Sequence, residues 1–400
     1  MASSADNASV KQPQQFLSGS GSSASSGFGL VGWLLCLLTP VMLLLGLSVG
    51  PVPINSQQLM HVLPFLFTDA ANLDPAMVGL HTIITDIRLP RTLLAWLVGA
   101  GLAISGAAMQ GLFRNPLADP SIIGVTSGAS LGASIAVVII GSGLSEASGL
   151  SGASGLSGAS GVSGMFADVE QWGGLSVLVM GAFIGGLLAA LMVYRLSTGS
   201  SDALSSNQTS VATMLLVGIA ITALAGAGNS LLAYMTDNET MRRISLWNMG
   251  GLDAASELRV ILAACIVIPA VFLLMRFSRQ LDVMLLGESE ARHLGVDVQR
   301  IKWSLVAIVA FAVASSVALA GVIGFVGLVV PHMLRMLIGP GHRRLLPYSA
   351  MAGGLLLVAA DIVARVVLSP AEMPVGVITA LLGAPLFIIL LRQRRDYGMY

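Results

Sequence analysis

Apolar residues in this chain fall into long runs that are separated by short polar segments. The hydrocarbon core of a bilayer is about 30 Å thick, so a helix of about 20 apolar residues spans it. The runs predict an all-α polytopic membrane protein with about ten transmembrane helices. Those of the first half are residues 28–49, 92–112, 121–140, 175–194 and 211–234. Those of the second half are residues 258–275, 303–321, 326–338, 349–367 and 375–391.

The division between the seventh and eighth predicted helices is the least marked. Residues 304–334 are almost continuously apolar, but Gly321, Gly324 and Gly327 interrupt the run. A break near Gly324 is therefore predicted. Broken helices occur at membrane depth where protein or a cavity satisfies the freed backbone groups.

Small residues and a proline recur in the two halves at a constant offset. They are Ala103, Gly106 and Pro116 in the first half and Ala318, Gly321 and Pro331 in the second. With five helices before each repeat, the two halves would cross the membrane in opposite directions, as in many transporters. We therefore predict two inverted five-helix halves.

Composition agrees with a lipid environment and excludes several classes of protein. Charged residues make up 10% of the chain and hydrophobic residues 55%, whereas a soluble domain carries about 25% charged residues. The formal net charge is zero, which argues against a nucleic-acid partner recognised through a basic surface. Cys36 and Cys265 lie in separate apolar runs and indicate neither a disulfide framework nor a metal site.

Positively charged residues set the predicted orientation. Most lie in segments that share one side of the membrane with both termini, so that side is predicted to be cytoplasmic. These cations are Arg276, Arg279, Arg292, Arg300, Lys302, Arg343, Arg344, Arg392, Arg394 and Arg395. Six arginines fall on or near the outer side, against this rule, which favours a functional role for them: Arg88, Arg91, Arg242, Arg243, Arg259 and Arg365.

The sequence divides into a transmembrane domain, residues 28–392, and two tails. Residues 1–27, rich in Ser and Gly, are predicted to be a disordered cytoplasmic tail, and residues 393–400 a second cytoplasmic tail. Residues 141–170 form a predicted Ser/Gly-rich outer loop in which LSGASG occurs twice, and such tracts behave as flexible coil. Residues 282–302 form a polar cytoplasmic loop.

Catalytic and nucleotide-binding motifs are absent from the sequence. The two lysines, Lys11 and Lys302, lie outside any G-x-x-x-x-G-K-[ST] loop, so the chain lacks a phosphate-binding loop. The five histidines are scattered without a metal-ligand spacing. We therefore predict no enzymatic activity and no cofactor, and an ATP-driven function would need an ATPase on another chain.

Two stretches carry more specific motifs. The first comprises Arg88-Leu-Pro-Arg91 with residues 106–120 and 123–129. The second comprises residues 324–332, 341–344, 360–365, 372–376 and 382–387. In these motifs the chain, from about Thr85 to Arg392, resembles the FecCD-type permeases, which import ferric siderophores, haem and cobalamin.

This resemblance implies a set of partners and a location. Two copies of the permease would form a homodimer around a central pathway in the bacterial inner membrane. Two ATP-binding cassette ATPase subunits would drive transport by alternating access, and a periplasmic substrate-binding protein would deliver the cargo.

The resemblance also assigns the arginines of the outer side. Residues matching Arg88, Arg91 and Arg365 dock the binding protein, and Arg offers a planar fork that suits a partner's carboxylates. The alternative is an arginine whose charged end extends to the interface from a helix end. Asp361 lies four residues before Arg365 on the same helix face and would hold it in place.

Residues 287–297 match the element that couples the permease to its ATPase. The predicted coupling residues are Glu288, Glu290, Ala291, Leu294 and Gly295. Residues 288–294 are predicted to form a short polar helix that ends at Gly295, with Asp297 as the cap of the next helix. An ordinary solvated loop is the alternative.

One predicted cytoplasmic turn is surrounded by Gln110, Asn115 and Pro116. These residues would line the pathway or its inner gate, and helix capping is an equally good role for them.

Residues 234–250 resemble the outer segment of haem permeases. Arg242 and Arg243 suit propionates, and Trp247 suits a porphyrin face.

This segment favours haem as the cargo, with a ferric siderophore or cobalamin as the alternative. An ion-coupled secondary transporter is the main rival class, because Asp361 is an ionisable residue within a predicted span. The predicted coupling element argues against it.

Overall fold

The computed structural model describes residues 29–65, 75–149, 177–198 and 211–396, and every regular element in these ranges is a helix. The predicted tail of residues 1–27 lies outside the described residues. So does most of the Ser/Gly-rich loop, from residue 150 onward.

The helices follow the predicted order. The first half contains α1 (Leu30–Ser48), α2 (Ser56–Val62), α3 (Pro75–Thr82), α4 (Leu89–Leu112), α5 (Val125–Gly149), α6 (Val177–Thr198) and α7 (Val211–Met235). The second half contains α8 (Asn238–Asn248), α9 (Glu257–Arg276), α10 (Ser278–Met284), α11 (Glu288–His293), α12 (Val298–Ala320), α13 (Val326–Ile338), α14 (His342–Val367) and α15 (Val375–Asp396).

Within the described ranges, seven helical stretches are long and apolar enough to cross a membrane. They are Leu30–Ser48, Met77–Leu112, Val177–Thr198, Val211–Met235, Glu257–Arg276, Val298–Ala320 and His342–Val367. Three further apolar helices are shorter, at Val125–Ile139, Val326–Ile338 and Val375–Ile389. Each predicted span therefore coincides with an apolar helix, and the all-α polytopic prediction is confirmed.

Several helices extend beyond the predicted boundaries. A π-helical segment, Ile83–Arg88, joins α3 to α4, so one helical stretch starts at Met77 rather than at residue 92. Helix α14 begins at His342 rather than at residue 349, and α15 continues to Asp396, into the predicted tail of residues 393–400. Helix α5 likewise runs to Gly149, into the predicted loop of residues 141–170. An apolar window detects the part of a helix that lies in lipid, whereas polar residues continue the helix into the interface.

The two central helices, α4 and α12, are each followed by a break. After α12, residues 321–325 are not helical and include Gly321 and Phe325 at positive φ, which confirms the predicted break near Gly324. After α4 the backbone turns and a 3-10 segment, Pro120–Ile123, precedes Gly124 at φ 72°. The predicted start of a helix at residue 121 is therefore too early by four residues.

The register predicted for the internal repeat is wrong. Pro116 lies in the turn that follows α4, whereas Pro331 lies inside α13. In both halves a long buried helix is followed by a break and then by a further helix. Pro116 and Pro331, however, do not occupy equivalent positions in the two halves.

Helix α4 forms the centre of the bundle and is almost entirely buried. Two glycines on it meet backbone of neighbouring helices. A Cβ on Gly106 would lie 1.8 Å from the carbonyl oxygen of Gly327 in α13, and one on Gly99 would lie 2.3 Å from that of Gly353 in α14. Such close approach is possible only without a side chain. Helices α1, α7 and α9, in contrast, expose most of their apolar side chains, as expected where lipid is the solvent.

Candidate functional site

The N-terminal end of α4 and the C-terminal end of α14 bring Arg88, Arg91 and Arg365 together. We call this the arginine end of the bundle. All three side chains are buried, with relative exposures of 4%, 6% and 3%. A buried guanidinium must find acceptors within the protein, and each of the three does so.

Arg88 and Arg365 both bind the C-terminal end of α1. Arg88 Nη1 donates to the carbonyl oxygens of Leu47 (2.7 Å) and Ser48 (2.8 Å), and its Nη2 donates to Val52 O. Arg365 Nη1 donates to Gly46 O (3.1 Å). The last carbonyls of a helix have no intrahelical partner and carry partial negative charge, so two guanidinium groups stabilise this helix end.

Asp361 lies between the guanidinium groups of Arg91 and Arg365. Its Oδ1 accepts from Arg91 Nε at 2.9 Å, and its Oδ2 lies 3.0 Å from Arg365 Nη2. The contact with Arg365 is the i,i+4 pair expected from the sequence. Arg91 Nη1 also donates to Glu372 Oε2 at 2.7 Å, and Glu372 is partly exposed.

These contacts change the interpretation of the predicted docking residues. In this conformation Arg88, Arg91 and Arg365 have internal acceptors, so a partner's carboxylate would have to displace carbonyl oxygens of α1 or the carboxylates of Asp361 and Glu372. The docking role stays a prediction. Glu372 was recognised as part of a motif but not as the partner of Arg91, and the sequence gives no sign that α1 ends beneath these arginines.

The predicted coupling segment lies at the opposite end of the bundle, which we call the Glu288 end. Helix α11 spans Glu288–His293, and Gly295 follows at φ 81°, the left-handed conformation that ends a helix. Asp297 Oδ1 accepts from Arg300 N at 3.0 Å and caps α12, as the sequence predicts.

Exposure divides the predicted coupling residues into two groups. Glu290 and Gly295 are exposed, and Leu294 is 63% exposed beside Leu286 at 65%. Leu286 and Leu294 are thus accessible to a partner, and the coupling role of this segment stays a prediction. Ala291 is fully buried, so it packs against this chain and does not face a partner. The coupling role predicted for Ala291 stays a prediction.

Glu288 makes an ion pair within the chain, and its coupling role stays a prediction. Its Oε1 lies 2.7 Å from Lys302 Nζ at the start of α12, and Lys302 is 1% exposed. This fully buried lysine is one of the two in the sequence. Its burial next to a carboxylate explains why it is tolerated.

The predicted pathway residues have local structural contacts. Gln110 is fully buried and its Nε2 donates to Leu328 O of α13 at 3.0 Å. Asn115 Oδ1 accepts from Leu117 N at 3.0 Å, which is a turn-forming contact. Pro116 lies in the same turn. These contacts fit the capping alternative, and the gating role stays a prediction.

A cavity of about 320 Å³ lies where the two breaks meet. It is lined from one side by Asp119, Pro120 and Ser121, which follow α4. Its other side is formed by residues 322–325, which follow α12. The freed backbone at both breaks therefore faces a cavity, as membrane-depth breaks require.

Helix α8 carries the predicted haem contacts at the arginine end. Arg242 and Arg243 are exposed and Trp247 is half-buried against the core. Arg243 Nη2 lies 2.6 Å from Glu239 Oε1, an exposed i,i+4 pair. Arg242 makes no hydrogen bond or ion pair with the described residues.

The start of α8 is fixed by Asp237. Its Oδ2 accepts from the backbone N–H groups of Glu239 (3.0 Å) and Thr240 (3.2 Å). The hydrogen bond from the Thr240 side chain, followed by those from the backbone N–H groups, lowers the pKa of the Asp237 carboxyl, because these bonds stabilise the ionised form.

A sequence profile of the FecCD transport family matches residues 37–393, nearly the whole chain. The chain belongs to the FecCD transport family. The resemblance that the motifs indicated is therefore confirmed.

Two relatives and one solved structure define the position of this FecCD protein within its family. It is 42% identical over 312 residues to the hemin transport system permease protein HmuU of Yersinia pestis, covering 78% of this chain and 84% of the relative. It is 40% identical over 360 residues to the cobalamin import system permease protein BtuC of Halobacterium salinarum, covering 86% of each. A solved structure described as an inward-facing conformation of a metal-chelate type ABC transporter matches with a TM-score of 0.70 and 30% identity, covering 90% of this chain and 98% of that chain.

The matches establish the general class of the FecCD protein. Both relatives are permease proteins, and the solved structure shares the helical fold over its whole length. The chain is a multi-pass membrane permease of the kind that handles metal chelates. Two relatives of nearly equal identity name different cargoes, so identity alone does not choose between haem and cobalamin.

Proposed function

We propose that this FecCD protein is the membrane-spanning subunit of an ATP-driven importer that carries haem from the periplasm to the cytoplasm across the bacterial inner membrane. It acts as a homodimer by alternating access, with both termini in the cytoplasm. The observation that carries the choice of haem is the pair of exposed arginines on α8, next to exposed apolar side chains at the arginine end.

Haem is an apolar disc with two propionates on one edge, and α8 offers both kinds of contact. Arg242 is exposed without an internal partner among the described residues, and Arg243 has an exposed carboxylate partner that a propionate can replace at little cost. Met249 and Leu246 are 45% and 49% exposed beside Trp247. Polarisable and aromatic side chains of this kind suit a porphyrin face.

In this proposal the energy comes from ATP hydrolysed by separate subunits, which would bind at the Glu288 end. The chain lacks a phosphate-binding loop, so ATP hydrolysis belongs to separate ATPase subunits. Leu286, Glu290 and Leu294 form an exposed surface on and beside α11 that would seat in such a subunit. A periplasmic binding protein would dock at the arginine end, where Arg88, Arg91 and Arg365 lie beneath the surface.

Cobalamin import is the second candidate, and the 40% identity to a cobalamin permease favours it. A ferric siderophore is the third. Cobalamin carries amide side chains rather than free carboxylates on its ring. The ring therefore offers no carboxylates that could form ion pairs with two adjacent arginines. The dependence of uptake on Arg242 and Arg243 therefore separates the two cargoes.

The test is uptake into proteoliposomes that hold the FecCD protein, its ATPase and its binding protein. Haem, cobalamin and a ferric siderophore are compared with and without internal ATP. We expect ATP-dependent haem uptake, and we expect the Arg242→Gln/Arg243→Gln double variant to lose it about tenfold or more, since each charge-assisted hydrogen bond contributes about 1.5–3 kcal/mol. Arg300→Gln, an exposed arginine at the Glu288 end, serves as the control and should transport normally.

Cobalamin or siderophore uptake without haem uptake would keep the importer and discard the haem assignment. Uptake of any cargo without the ATPase would contradict the importer class itself and favour an ion-coupled transporter.

A further inference from the structure

Two charged contacts connect the segment formed by α10 and α11 to the membrane-spanning helices. The first joins α10 to α14. Asp282 Oδ1 accepts from the backbone N–H of His342 at 2.7 Å and lies 2.8 Å from His342 Nδ1. Because the acceptor is a carboxylate, Nδ1 carries the proton. Asp282 therefore caps the first turn of α14 from a different helix, and it also accepts a hydrogen bond from the side chain of His342, the first residue of α14.

The second contact joins α11 to α12. Glu288 Oε1 lies 2.7 Å from Lys302 Nζ in the first turns of α12. His342 and Lys302 are both fully buried, with exposures of 0% and 1%, while their carboxylate partners reach the surface. Each contact is thus a charged side chain of the exposed segment inserted against a buried group of a long helix.

Glycines let the chain turn sharply on both sides of α11. Gly287 at φ 121° lies between α10 and α11, and Gly295 at φ 81° lies between α11 and α12. Only glycine adopts such conformations without strain. Backbone hydrogen bonds close both turns, from Gly287 N to Met284 O at 3.1 Å and from Val296 N to Ala291 O at 3.0 Å. A hydrogen-bonded turn therefore joins α10 to α11, so the two short helices form one segment.

The helices that receive these contacts are rigidly packed. The His342 ring lies against the end of α4, where a Cβ on Gly111 would come within 2.3 Å of Nε2. Further along, Gly99 of α4 and Gly353 of α14 are in backbone contact, and at the arginine end Arg91 of α4 binds Asp361 of α14. A displacement of the start of α14 is therefore passed to α4 through these contacts, because packed interiors transmit strain.

We propose that Asp282 and Lys302 are positioning residues that convert movement of the α10–α11 segment into movement of α14 and α12. The inference rests on the proposed function, since it supplies the path by which an ATPase seated on α11 would act on the bundle. Breaking either contact would separate a buried donor from its carboxylate acceptor, and such a separation is unfavourable.

The experiment compares two substitutions of Asp282 in proteoliposomes that hold the complete transporter. Asp282→Asn keeps an oxygen acceptor in place, whereas Asp282→Ala removes it. We expect Asp282→Ala to lower the amount of cargo moved per ATP hydrolysed about tenfold, and Asp282→Asn to stay within about twofold of the unmodified protein, because the neutral amide retains the hydrogen bonds. Lys302→Met should lower the same ratio, with Arg300→Gln as the control.

A second measurement does not depend on the cargo. Spin labels at the exposed positions His293 and Arg343 report the distance between α11 and the start of α14 with and without ATP. In the unmodified protein this distance should stay constant through the cycle, because the two elements move together. In Asp282→Ala it should change when ATP is added.

The outcomes separate the two proposals. If Asp282→Ala lowers ATP hydrolysis and transport in equal proportion, and the label distance stays constant, the contact is merely structural and the inference is overturned. If the unmodified protein shows no ATP-dependent uptake of any chelate, the proposed function fails instead, whereas a change of the label distance confined to Asp282→Ala would still support the mechanical link.

Discussion

The arginine end and the Glu288 end of this FecCD protein differ in how far their charged side chains are buried. At the arginine end, three guanidinium groups are buried and bind internal oxygens, two of them at the end of α1. At the Glu288 end, the carboxylates of Asp282 and Glu288 remain partly exposed and reach inward to buried partners, while Leu286 and Leu294 are left exposed.

The difference shows that one end is closed upon itself while the other presents a surface. A partner at the arginine end must compete with acceptors that are already in place. A partner at the Glu288 end finds an apolar surface whose removal from water is favourable.

The largest effect is expected from Asp361→Asn at the arginine end. The substitution leaves Arg91 and Arg365 without the carboxylate between them, and the free energy of unfolding should fall by about 3–5 kcal/mol. Unfolding by denaturant in detergent micelles measures it. Glu239→Gln is the matched control, since Glu239 and Arg243 form the same i,i+4 pair fully in reach of solvent, and it should cost about 0.3–0.5 kcal/mol. Equal losses for both variants would refute the closed arrangement.

An intermediate effect is expected from the Glu288–Lys302 pair. Glu288→Gln leaves the Lys302 ammonium buried without its carboxylate and should lower the free energy of unfolding by about 1–3 kcal/mol. Lys302→Met should cost less, because it removes the buried charge and the remaining carboxylate of Glu288 reaches water. The same denaturant titration compares the two. A larger loss for Lys302→Met would mean that Glu288 is not hydrated in its absence.

Leu294→Asp should leave stability nearly unchanged and weaken the partner contact. The side chain is mostly exposed, so its replacement should alter the free energy of unfolding by no more than about 0.5 kcal/mol. Co-purification of ATPase subunits with the FecCD protein should fall strongly, and Arg300→Gln should leave it unchanged. Retention of the ATPase by the Asp variant would place the contact surface elsewhere.

The smallest effect is a pH dependence of α8. The pKa of Asp237 is lower in the folded protein than the unfolded value of about 3.9. The carboxylate therefore stabilises the start of α8 above that unfolded value, and the stabilisation is lost as the pH falls through the lower folded pKa. Amide hydrogen exchange of the first turn of α8, measured across this range, should rise at acid pH. Asp237→Asn keeps the cap but does not titrate, so its exchange should follow the pH without this added change.

The sequence predicted the helical elements and the family well, and the side-chain contacts less well. An apolar run long enough to span a bilayer has few alternatives in lipid, because every backbone polar group must be satisfied within the segment. The i,i+4 contact of Asp361 and Arg365 followed from helix geometry. The contact of Arg91 with Asp361 joins residues 270 positions apart and was not predicted.

Ala291 and Arg88 show why the rest was not predicted. Ala291 lies in a predicted helix but faces the bundle, and Arg88 lies before the predicted start of its helix and binds the end of α1. Which face of a short helix is buried depends on the neighbours that it meets, and a polar segment of six residues, Glu288–His293, has too little apolar periodicity to indicate that face.

The sequence by itself determined that the protein lies in a lipid bilayer and where its helical segments are. It also determined the absence of a phosphate-binding loop and the membership of the FecCD family. These depend on composition and on contacts close in the chain. The tertiary structure alone decided that the arginines are internally satisfied and that Asp282 and Glu288 hold α14 and α12. Such pairings arise between distant segments, because burial of a charge selects whichever opposite group the packing of helices brings within reach.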